Sequence, residues 1–523
     1  MSTMNNACTT ADETILFRRH VGQISRHSSV FFAATMFSTA AAYFFKIYLA
    51  RVLGAEALGI YALGMTVIGF FGIFNALGLP QAAVRFVAAY QATGRVESLR
   101  KFLWMGSGLL LAVNVLLSFV LLWLGPYIGL HLYHVPSLSR YLPLFAAIMV
   151  LGCLTTFFGQ ALAGYKDVRR RSIITTFIGT PFMMIGSVLL IARGAGLWGY
   201  IFAQVVSAVV VCGLLLASVW KLTPRQGYGS VNGAAVMGAE VMSFSAAALG
   251  VGVLEFVLAQ ADKVLIGFWL NAREVGIYAV AAGMVGLVPI ALQSVNQIFS
   301  PIIADLHARG DRALLQRLFQ TLTKWIVALT LPLGAVVSIN AATLMRIFGP
   351  EFETGWPILV IGVVGQLINC GVGSVGYLLL MSGNQLRLIK VQAAMAVLMI
   401  ALNASLIPVW GITGAAVGAA VVTIVANLWN LREVRVALGI SPYNRSYLRI
   451  VPACTAAVFA ILAVKTTMSG LRVEWKIGLS LMAGYSALWA GSWLAGLNGD
   501  DRIIADAAWL RLRAAIGHVA VTA

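Results

Sequence analysis

The sequence predicts an all-α polytopic membrane protein of about fourteen transmembrane helices, and three observations support this fold class. Hydrophobic residues make up 60% of the 523 residues and charged residues only 10%, whereas soluble domains carry about a quarter charged residues. Apolar stretches of the roughly 20 residues needed to span a bilayer recur along nearly the whole chain. The segments between these stretches are short and hold most of the charge. A water-soluble fold could not hide this much apolar surface.

Fourteen apolar runs define the predicted spans. They cover residues 28–50, 57–79, 102–124, 142–163, 172–192, 197–219, 241–268, 275–300, 319–340, 356–381, 388–409, 412–431, 448–466 and 476–496. The tail before them, residues 1–27, has no apolar core of signal-peptide length, so no cleaved signal is expected. After the last span, residues 500–517 place apolar residues opposite arginines at helical spacing. This pattern predicts an amphipathic helix along the membrane surface, with a frayed tail as the alternative.

The distribution of positive charge predicts the orientation. Lys and Arg residues in the tails and the alternate loops outnumber those in the opposite loops by roughly three to one, which places both termini in the cytoplasm. The net charge of +18 therefore reflects topology and attraction to anionic headgroups rather than nucleic-acid binding. The five cysteines are scattered without paired spacing, so neither a disulfide framework nor a metal site is expected. No catalytic constellation and no cofactor motif is evident.

An internal repeat organises the spans. Residues Lys46–Ala62 align without gaps on Lys263–Ala279, 217 residues later, and both segments end in Gly-Ile-Tyr-Ala. Two further short matches recur at nearly the same offset. Because six helices separate the copies, both run through the membrane in the same direction, as in transporters with parallel repeats around a central cavity. We therefore predict an N-lobe at 28–220, a C-lobe at 240–435 and a further helix pair at 447–496. A repeat kept only for stability is the alternative.

A family resemblance follows from the six-plus-six-plus-two arrangement and from particular residues. The run Leu49–Tyr61 (LARVLGAEALGIY), the segment Leu77–Gln81 (LGLPQ) and the Asp262–Lys263 pair before the second Gly-Ile-Tyr resemble the multidrug/oligosaccharidyl-lipid/polysaccharide (MOP) exporter superfamily. Within it, they look most like the Wzx-type O-antigen and exopolysaccharide flippases. The resemblance spans about residues 30–440, and its motifs are loose and hydrophobic.

The resemblance implies a function in the bacterial cytoplasmic (inner) membrane. The expected substrate is an oligosaccharide on undecaprenyl diphosphate, moved to the outer leaflet by alternating access for polysaccharide synthesis. Membrane lipids, and a polysaccharide polymerase or export machinery, are the implied partners. The alternatives are a cation-coupled drug exporter or a lipid II flippase of the same superfamily. A membrane-bound polysaccharide enzyme is less favoured, because the outside loops are short and lack a cluster of catalytic groups.

Intramembrane charges are the strongest candidate site residues, because an uncompensated charge inside a bilayer is costly. Lys46 and Lys263 occupy equivalent positions of the repeat and could hold a diphosphate in a cavity, or they could snorkel to the headgroups. Arg85 could collect the diphosphate at the inner mouth or serve as a positive-inside anchor. Asp262 and Glu255, seven residues apart on one helix face, could carry a coupling ion or neutralise nearby cations.

Amide side chains form a second group of candidates. Gln293, Asn296 and Gln297 make a polar stripe on one predicted helix, and Asn75 lies 218 residues before Gln293 in the other lobe. Such amides either contact sugar hydroxyls or hold helices together.

Reporter fusions test the predicted topology. Fusions after spans 4, 6, 8 and 10 are expected to report the cytoplasm, and fusions after spans 3, 5, 7 and 9 the opposite side, because the positive charges alternate in this way. A reversed pattern in the second half of the chain would replace the parallel repeat by an inverted one.

Overall fold

A computed structural model describes residues 41–223, 239–444, 447, 450–468 and 473–494. The predicted N-terminal tail, the beginning of the first span and the amphipathic helix predicted at 500–517 lie outside these residues. Within them, every regular element is a helix. The chain divides into two compact units. Among the described residues, the first unit lies within Phe45–Ala279 and Met399–Ala415, and the second comprises 41–44, Val280–Leu398 and the described residues from Ala416 onward.

The first unit is built from long apolar helices. They are α1 (Ala41–Asn75, from residue 45), α2 (Leu79–Ala92), α3 (Val96–Tyr127), α4 (Pro136–Gly164), α5 (Val168–Ala192), α6 (Gly196–Leu222), α7 (Ala239–Trp269) and the first part of α8 (Ala272–Val285). Fully buried aromatic and aliphatic side chains fill the space between α2, α3, α4 and α6. Phe102 and Phe157 are both completely buried, with ring centroids 6.3 Å apart. This core fixes the positions of the helices around it.

The second unit contains the remaining helices. They are the end of α8, α9 (Ile290–Arg309), α10 (Arg312–Ile339), α11 (Ala341–Phe348), α12 (Trp356–Val372), α13 (Val375–Met381), α14 (Gln385–Leu438, without residues 399–415), α15 (Ile450–Thr467) and α16 (Val473–Leu494). The last two helices pack against α10. The Tyr485 hydroxyl donates to the Leu329 carbonyl at 2.8 Å, and Lys465 Nζ donates to the Ile339 carbonyl at 2.6 Å.

Helix breaks confirm two predicted span boundaries and divide two predicted spans. Gly54 (φ 82°) and Gly411 (φ 59°) interrupt α1 and α14, at the predicted boundaries between spans 1 and 2 and between spans 11 and 12. The predicted span 275–300 is instead two helices, α8 and α9, bent by 55°. The predicted span 356–381 breaks at Gly373 (φ 77°) between α12 and α13. A left-handed residue cannot continue a right-handed helix, although its flanks can remain apolar.

The predicted fold class is confirmed as an all-helical, multi-pass membrane protein. Each of the fourteen predicted runs overlaps a helix in the described part of the chain, the first run only from residue 41 onward. By length and composition, eight helices there could cross a membrane, or nine if the bent α8–α9 pair is one span. The number fourteen and the lobe boundaries stay predictions. Helix starts nevertheless follow the repeat, since α3 begins after Gly94 (φ 67°) and α10 after Gly310 (φ 74°).

Candidate functional site

Two glycines of the internal repeat bring helices α1 and α8 into backbone contact within the first unit. A Cβ atom placed on Gly59 would lie 1.6 Å from the Ala272 carbonyl oxygen, and one on Gly276 would lie 1.9 Å from the Ala55 carbonyl oxygen. Ala55 and Ala272 are equivalent in the repeat, as are the two glycines. The contact is therefore reciprocal, and a local two-fold relation holds at the crossing. Only residues without a side chain permit this approach.

Each of the two helical segments that cross here follows a turn, and the two turns occupy equivalent positions of the repeat. Different residues form them. In the first copy, Gly54 adopts a left-handed conformation with φ 82°. In the second copy, Asn271 occupies the same place, and its Oδ1 accepts a hydrogen bond from the Glu274 N–H at 3.0 Å. An Asn in this position satisfies one of the free N–H groups at the start of a helix. In both copies, the glycine of the crossing, Gly59 or Gly276, lies five residues after the turn.

The symmetric lysines lie in the helical segments that precede these turns. Lys46 and Lys263 are within electrostatic range of each other. Lys46 is exposed and Lys263 is half-buried. The Lys263 ammonium donates to Gln260 Oε1 at 2.8 Å, one turn earlier on α7. Two ammonium groups within electrostatic range of each other repel, and an anion bound by both would offset this repulsion.

A buried carboxylate lies beside Lys263. Asp262 is only 8% exposed, and its Oδ2 accepts a hydrogen bond from the Tyr278 hydroxyl at 2.7 Å. Its Oδ1 accepts from the Lys263 backbone N–H at 2.7 Å, and the Lys263 charge also attracts it. A carboxylate in a low-dielectric environment needs such donors. The bond to Tyr278 also ties α7 to α8 across their turn.

The repeat is symmetric in its cations but not in this carboxylate. Phe45 stands at the position equivalent to Asp262, and Tyr61 stands at the position equivalent to Tyr278. Tyr61 makes a different contact, since the Gln204 side-chain amide donates to its hydroxyl at 2.9 Å and to the Tyr200 hydroxyl at 3.0 Å. The tyrosine of the repeated motif therefore accepts a hydrogen bond from an amide in the first copy (Tyr61) and donates one to a carboxylate in the second copy (Tyr278).

The other predicted site residues of the first unit are Glu255, Arg85 and Asn75, and the contacts described for them do not involve Lys46 or Lys263. Glu255 is exposed, although it is seven residues before the buried Asp262. Arg85 is exposed on α2, with its guanidinium 5.6 Å from the Phe86 ring centroid. Asn75 is buried at the end of α1, where its backbone carbonyl accepts from the Asn114 amide at 3.1 Å. This bond joins the end of α1 to α3 through the Asn75 backbone.

The predicted amide stripe lies on α9 in the second unit, and its residues differ in how far they are buried. Gln293 and Gln297 are exposed, whereas Asn296 is buried. The Asn296 Oδ1 has no hydrogen-bond partner among the described residues. The two exposed glutamines are therefore accessible to a ligand, and Asn296 lies between packed helices.

Sequence reasoning missed Gln260, Tyr278 and Gln204. Gln260 and Lys263 are three residues apart, so their contact could have been expected on a helix. Tyr278 was part of the repeated Gly-Ile-Tyr-Ala motif, and its alignment with Tyr61 was a usable signal. The Gln204 contact joins α6 to α1 and had no local signal.

Substitution at the glycine crossing tests whether it is needed for folding. Gly59→Leu and Gly276→Leu each insert a side chain where a backbone carbonyl lies, so we expect large losses in folded yield and thermal stability in detergent. Gly72→Leu is the matched control on α1, because a Cβ there meets no atom within 4 Å. Equal yield and melting temperature for all three variants would contradict the crossing.

Comparisons with known proteins agree with this architecture. The "Polysaccharide biosynthesis protein" family matches residues 24–307, more than half of the chain. The teichuronic acid biosynthesis protein TuaB of Bacillus subtilis (strain 168) is 26% identical over 137 residues, which cover 25% of this chain. The match spans only 28% of that relative's length.

Solved structures share the fold at low sequence identity. The lipid II flippase MurJ, in an inward closed conformation, has a TM-score of 0.70 at 14% identity and covers 88% of this chain and 98% of its own. An inward-facing multidrug resistance MATE transporter of the MOP superfamily has a TM-score of 0.63 at 14% identity, covering 76% and 94%. These neighbours are transporters, and the resemblance predicted from the sequence is confirmed. The chain belongs to the polysaccharide biosynthesis protein family and has the fold of the MOP superfamily transporters.

Proposed function

We propose that this protein is a flippase for a lipid-linked oligosaccharide of the undecaprenyl-diphosphate type. It moves the lipid from the inner to the outer leaflet of the bacterial cytoplasmic membrane by alternating access, for exopolysaccharide or O-antigen synthesis. Both termini lie in the cytoplasm in this proposal. A polysaccharide polymerase or export machinery receives the product. The family match and the transporter fold support the class of function, and the intramembrane cation pair supports the substrate.

The pair of lysines from equivalent repeat positions is the observation that carries the proposal. A diphosphate diester bears two negative charges, and removing an ion from water into a low-dielectric region costs several kcal/mol unless it is paired. Lys46 and Lys263 supply two positive charges within range of each other. A substrate with two phosphates matches a site to which each copy of the repeat contributes one lysine. A neutral or cationic substrate would not add the negative charge that offsets the repulsion between the lysines.

The hydrogen bonds around Asp262 and Lys263 leave the site favourable for an anion. Asp262 is the carboxylate beside Lys263, and Tyr278 and the Lys263 backbone both donate to it. Because the carboxylate is engaged by these donors, part of its charge is already satisfied. Lys46 is exposed and is the cation that meets the substrate first. We assign Lys263 the more fixed position, since Gln260 holds its ammonium.

The remaining candidates have secondary roles in the proposal. Arg85, exposed on α2, collects the diphosphate at the predicted inner mouth. Gln293 and Gln297, exposed on α9, contact sugar hydroxyls. The burial of Asn75 and Asn296 favours a role in helix packing over sugar binding. These assignments rest on exposure and on the chemistry of the side chains.

A lipid II flippase is the second candidate, because the described fold resembles MurJ over 88% of the chain. A drug exporter is the third, because a multidrug resistance MATE transporter shares the fold. The sign of the intramembrane charge separates these classes. A site for cationic drugs needs an excess of carboxylates, whereas among the described residues two lysines accompany one buried carboxylate. Assays with each lipid-linked substrate would separate the two flippase alternatives.

Substitution of the lysines tests the proposal directly. Lys46→Ala and Lys263→Ala are each expected to lower transport of a lipid-linked oligosaccharide in proteoliposomes by about tenfold or more, since a hydrogen bond to a charged group contributes roughly 1.5–3 kcal/mol. The double variant is expected to abolish transport. Arg replacements retain part of it, because they keep the charge and change the geometry.

The control is Arg193→Ala, which removes an exposed cation at the end of α5 in the same unit. It should transport at the wild-type rate. Full transport by the double alanine variant, at unchanged abundance in the membrane, would end the role of the lysine pair and leave the family assignment in place.

A second experiment asks whether Asp262 couples transport to an ion. Asp262→Asn removes the charge with little change of shape, and Tyr278→Phe removes the hydrogen bond while keeping the carboxylate. If Asp262 carries the coupling ion, the Asn variant loses its response to an imposed proton or sodium gradient, and the Phe variant keeps it. If the carboxylate only neutralises Lys263, both variants respond to the gradient as the wild type does. Glu97→Gln, which removes an exposed carboxylate on α3 of the same unit, is the control and should respond to the gradient as the wild type does.

A further inference from the structure

A crevice on the first unit lies between helices α3, α4 and α6, away from the lysine pair. Its volume is about 880 Å³, within the range of roughly 300–1,000 Å³ typical of small-molecule sites. Most of the residues that line it are apolar, and its charged lining residues come from one end of α3 and one end of α6. These residues are Arg100 and Lys221, and the described residues that line the crevice include no carboxylate.

The two cations lie at the same membrane face. Arg100 is one turn after the start of α3, and Lys221 is one residue before the end of α6. Both side chains are exposed. Thr223 follows Lys221 and shares a hydrogen bond of 2.8 Å with the Tyr165 hydroxyl, which closes the polar end toward α4. By the distribution of Lys and Arg, this is the predicted cytoplasmic face. The crevice therefore begins at the level of the inner headgroups.

A pair of tryptophans marks the next layer. Trp104 and Trp220 stand edge to face with ring centroids 5.8 Å apart, and they are 60% and 49% exposed. Trp side chains concentrate at the boundary between headgroups and hydrocarbon. Beyond them, Leu111 and Phe158 form part of the apolar wall. Leu111 lies eleven positions after Arg100 on the helix, a rise of about 16 Å at 1.5 Å per residue, or roughly half of a 30 Å hydrocarbon core.

We propose that this crevice binds one anionic glycerophospholipid of the adjacent leaflet. The phosphate lies between Arg100 and Lys221, the glycerol backbone lies at the level of the tryptophans, and one acyl chain follows the wall past Leu111. The order of cations, interfacial aromatics and apolar residues matches the order of a phospholipid from headgroup to tail. Charge complementarity selects an anionic headgroup over a zwitterionic one. The site is independent of the flippase proposal and uses none of its residues.

Native mass spectrometry of the full-length protein tests the headgroup contacts. Phosphatidylglycerol and phosphatidylcholine with identical acyl chains are titrated against the detergent-solubilised protein. We expect one phosphatidylglycerol to bind about tenfold more tightly, a difference of about 1.4 kcal/mol. The double variant Arg100→Ala/Lys221→Ala should lose this preference. The double variant Lys101→Ala/Arg169→Ala removes two exposed cations of the same unit that do not line the crevice, and it should keep the preference.

A filling substitution tests the apolar part separately. A Cβ on Gly108, which lines the crevice, meets no atom within 4 Å. Gly108→Trp should therefore fold normally and lower the affinity for both lipids. Gly152→Trp is the control, because its Cβ position is equally open and lies outside the crevice lining.

Three results of these titrations would overturn the proposal. They are equal binding of the two lipids by the wild-type protein, retention of the preference by the Arg100/Lys221 double variant, and unchanged lipid affinity in Gly108→Trp. Displacement of bound phosphatidylglycerol by undecaprenyl diphosphate in equimolar competition would also contradict it, since the crevice would then bind the substrate class of the proposed function.

Discussion

The reciprocal contact of Gly59 and Gly276 is the constraint on which the proposed site depends. Each glycine lies against a backbone carbonyl of the other helix, so neither position accepts a side chain. Because the two segments are copies of one sequence, a symmetric crossing also relates the residues that precede it. The lysines are thereby brought within electrostatic range of each other. Small residues that allow close helix contact thus determine where charge is placed in the membrane.

The two copies of the repeat differ in the hydrogen-bond partner of the motif tyrosine. Both copies retain the motif tyrosine, but only the second copy pairs it with a buried carboxylate. In the first copy, Tyr61 accepts from Gln204. In the proposed mechanism, substrate binding uses residues of both copies, whereas ion coupling uses a carboxylate that only the second copy has. Two equivalent cations hold the substrate, and one copy alone carries the group that could respond to an ion.

Composition and charge were sufficient to predict the fold class, and the repeat was sufficient to predict that Lys46 and Lys263 are related. The helix breaks near Gly373 and between α8 and α9 were missed, because apolar residues continue through them and hydropathy follows composition rather than backbone direction. Burial of single polar residues was also beyond the sequence. Asp262 and Glu255 share a predicted helix face, yet only Asp262 is buried, because burial depends on which neighbouring helix covers each turn.

The central claim, that two repeat-related lysines form a diphosphate site, is tested most directly by comparing two ligands that differ in one phosphate. The affinity of the purified protein for undecaprenyl diphosphate and for undecaprenyl monophosphate would be measured in the wild type and in the Lys46→Ala/Lys263→Ala variant. The account predicts tighter binding of the diphosphate by the wild type, by about tenfold or about 1.4 kcal/mol, and no such preference in the variant. Equal affinities in the wild type, or an unchanged preference in the variant, would contradict it.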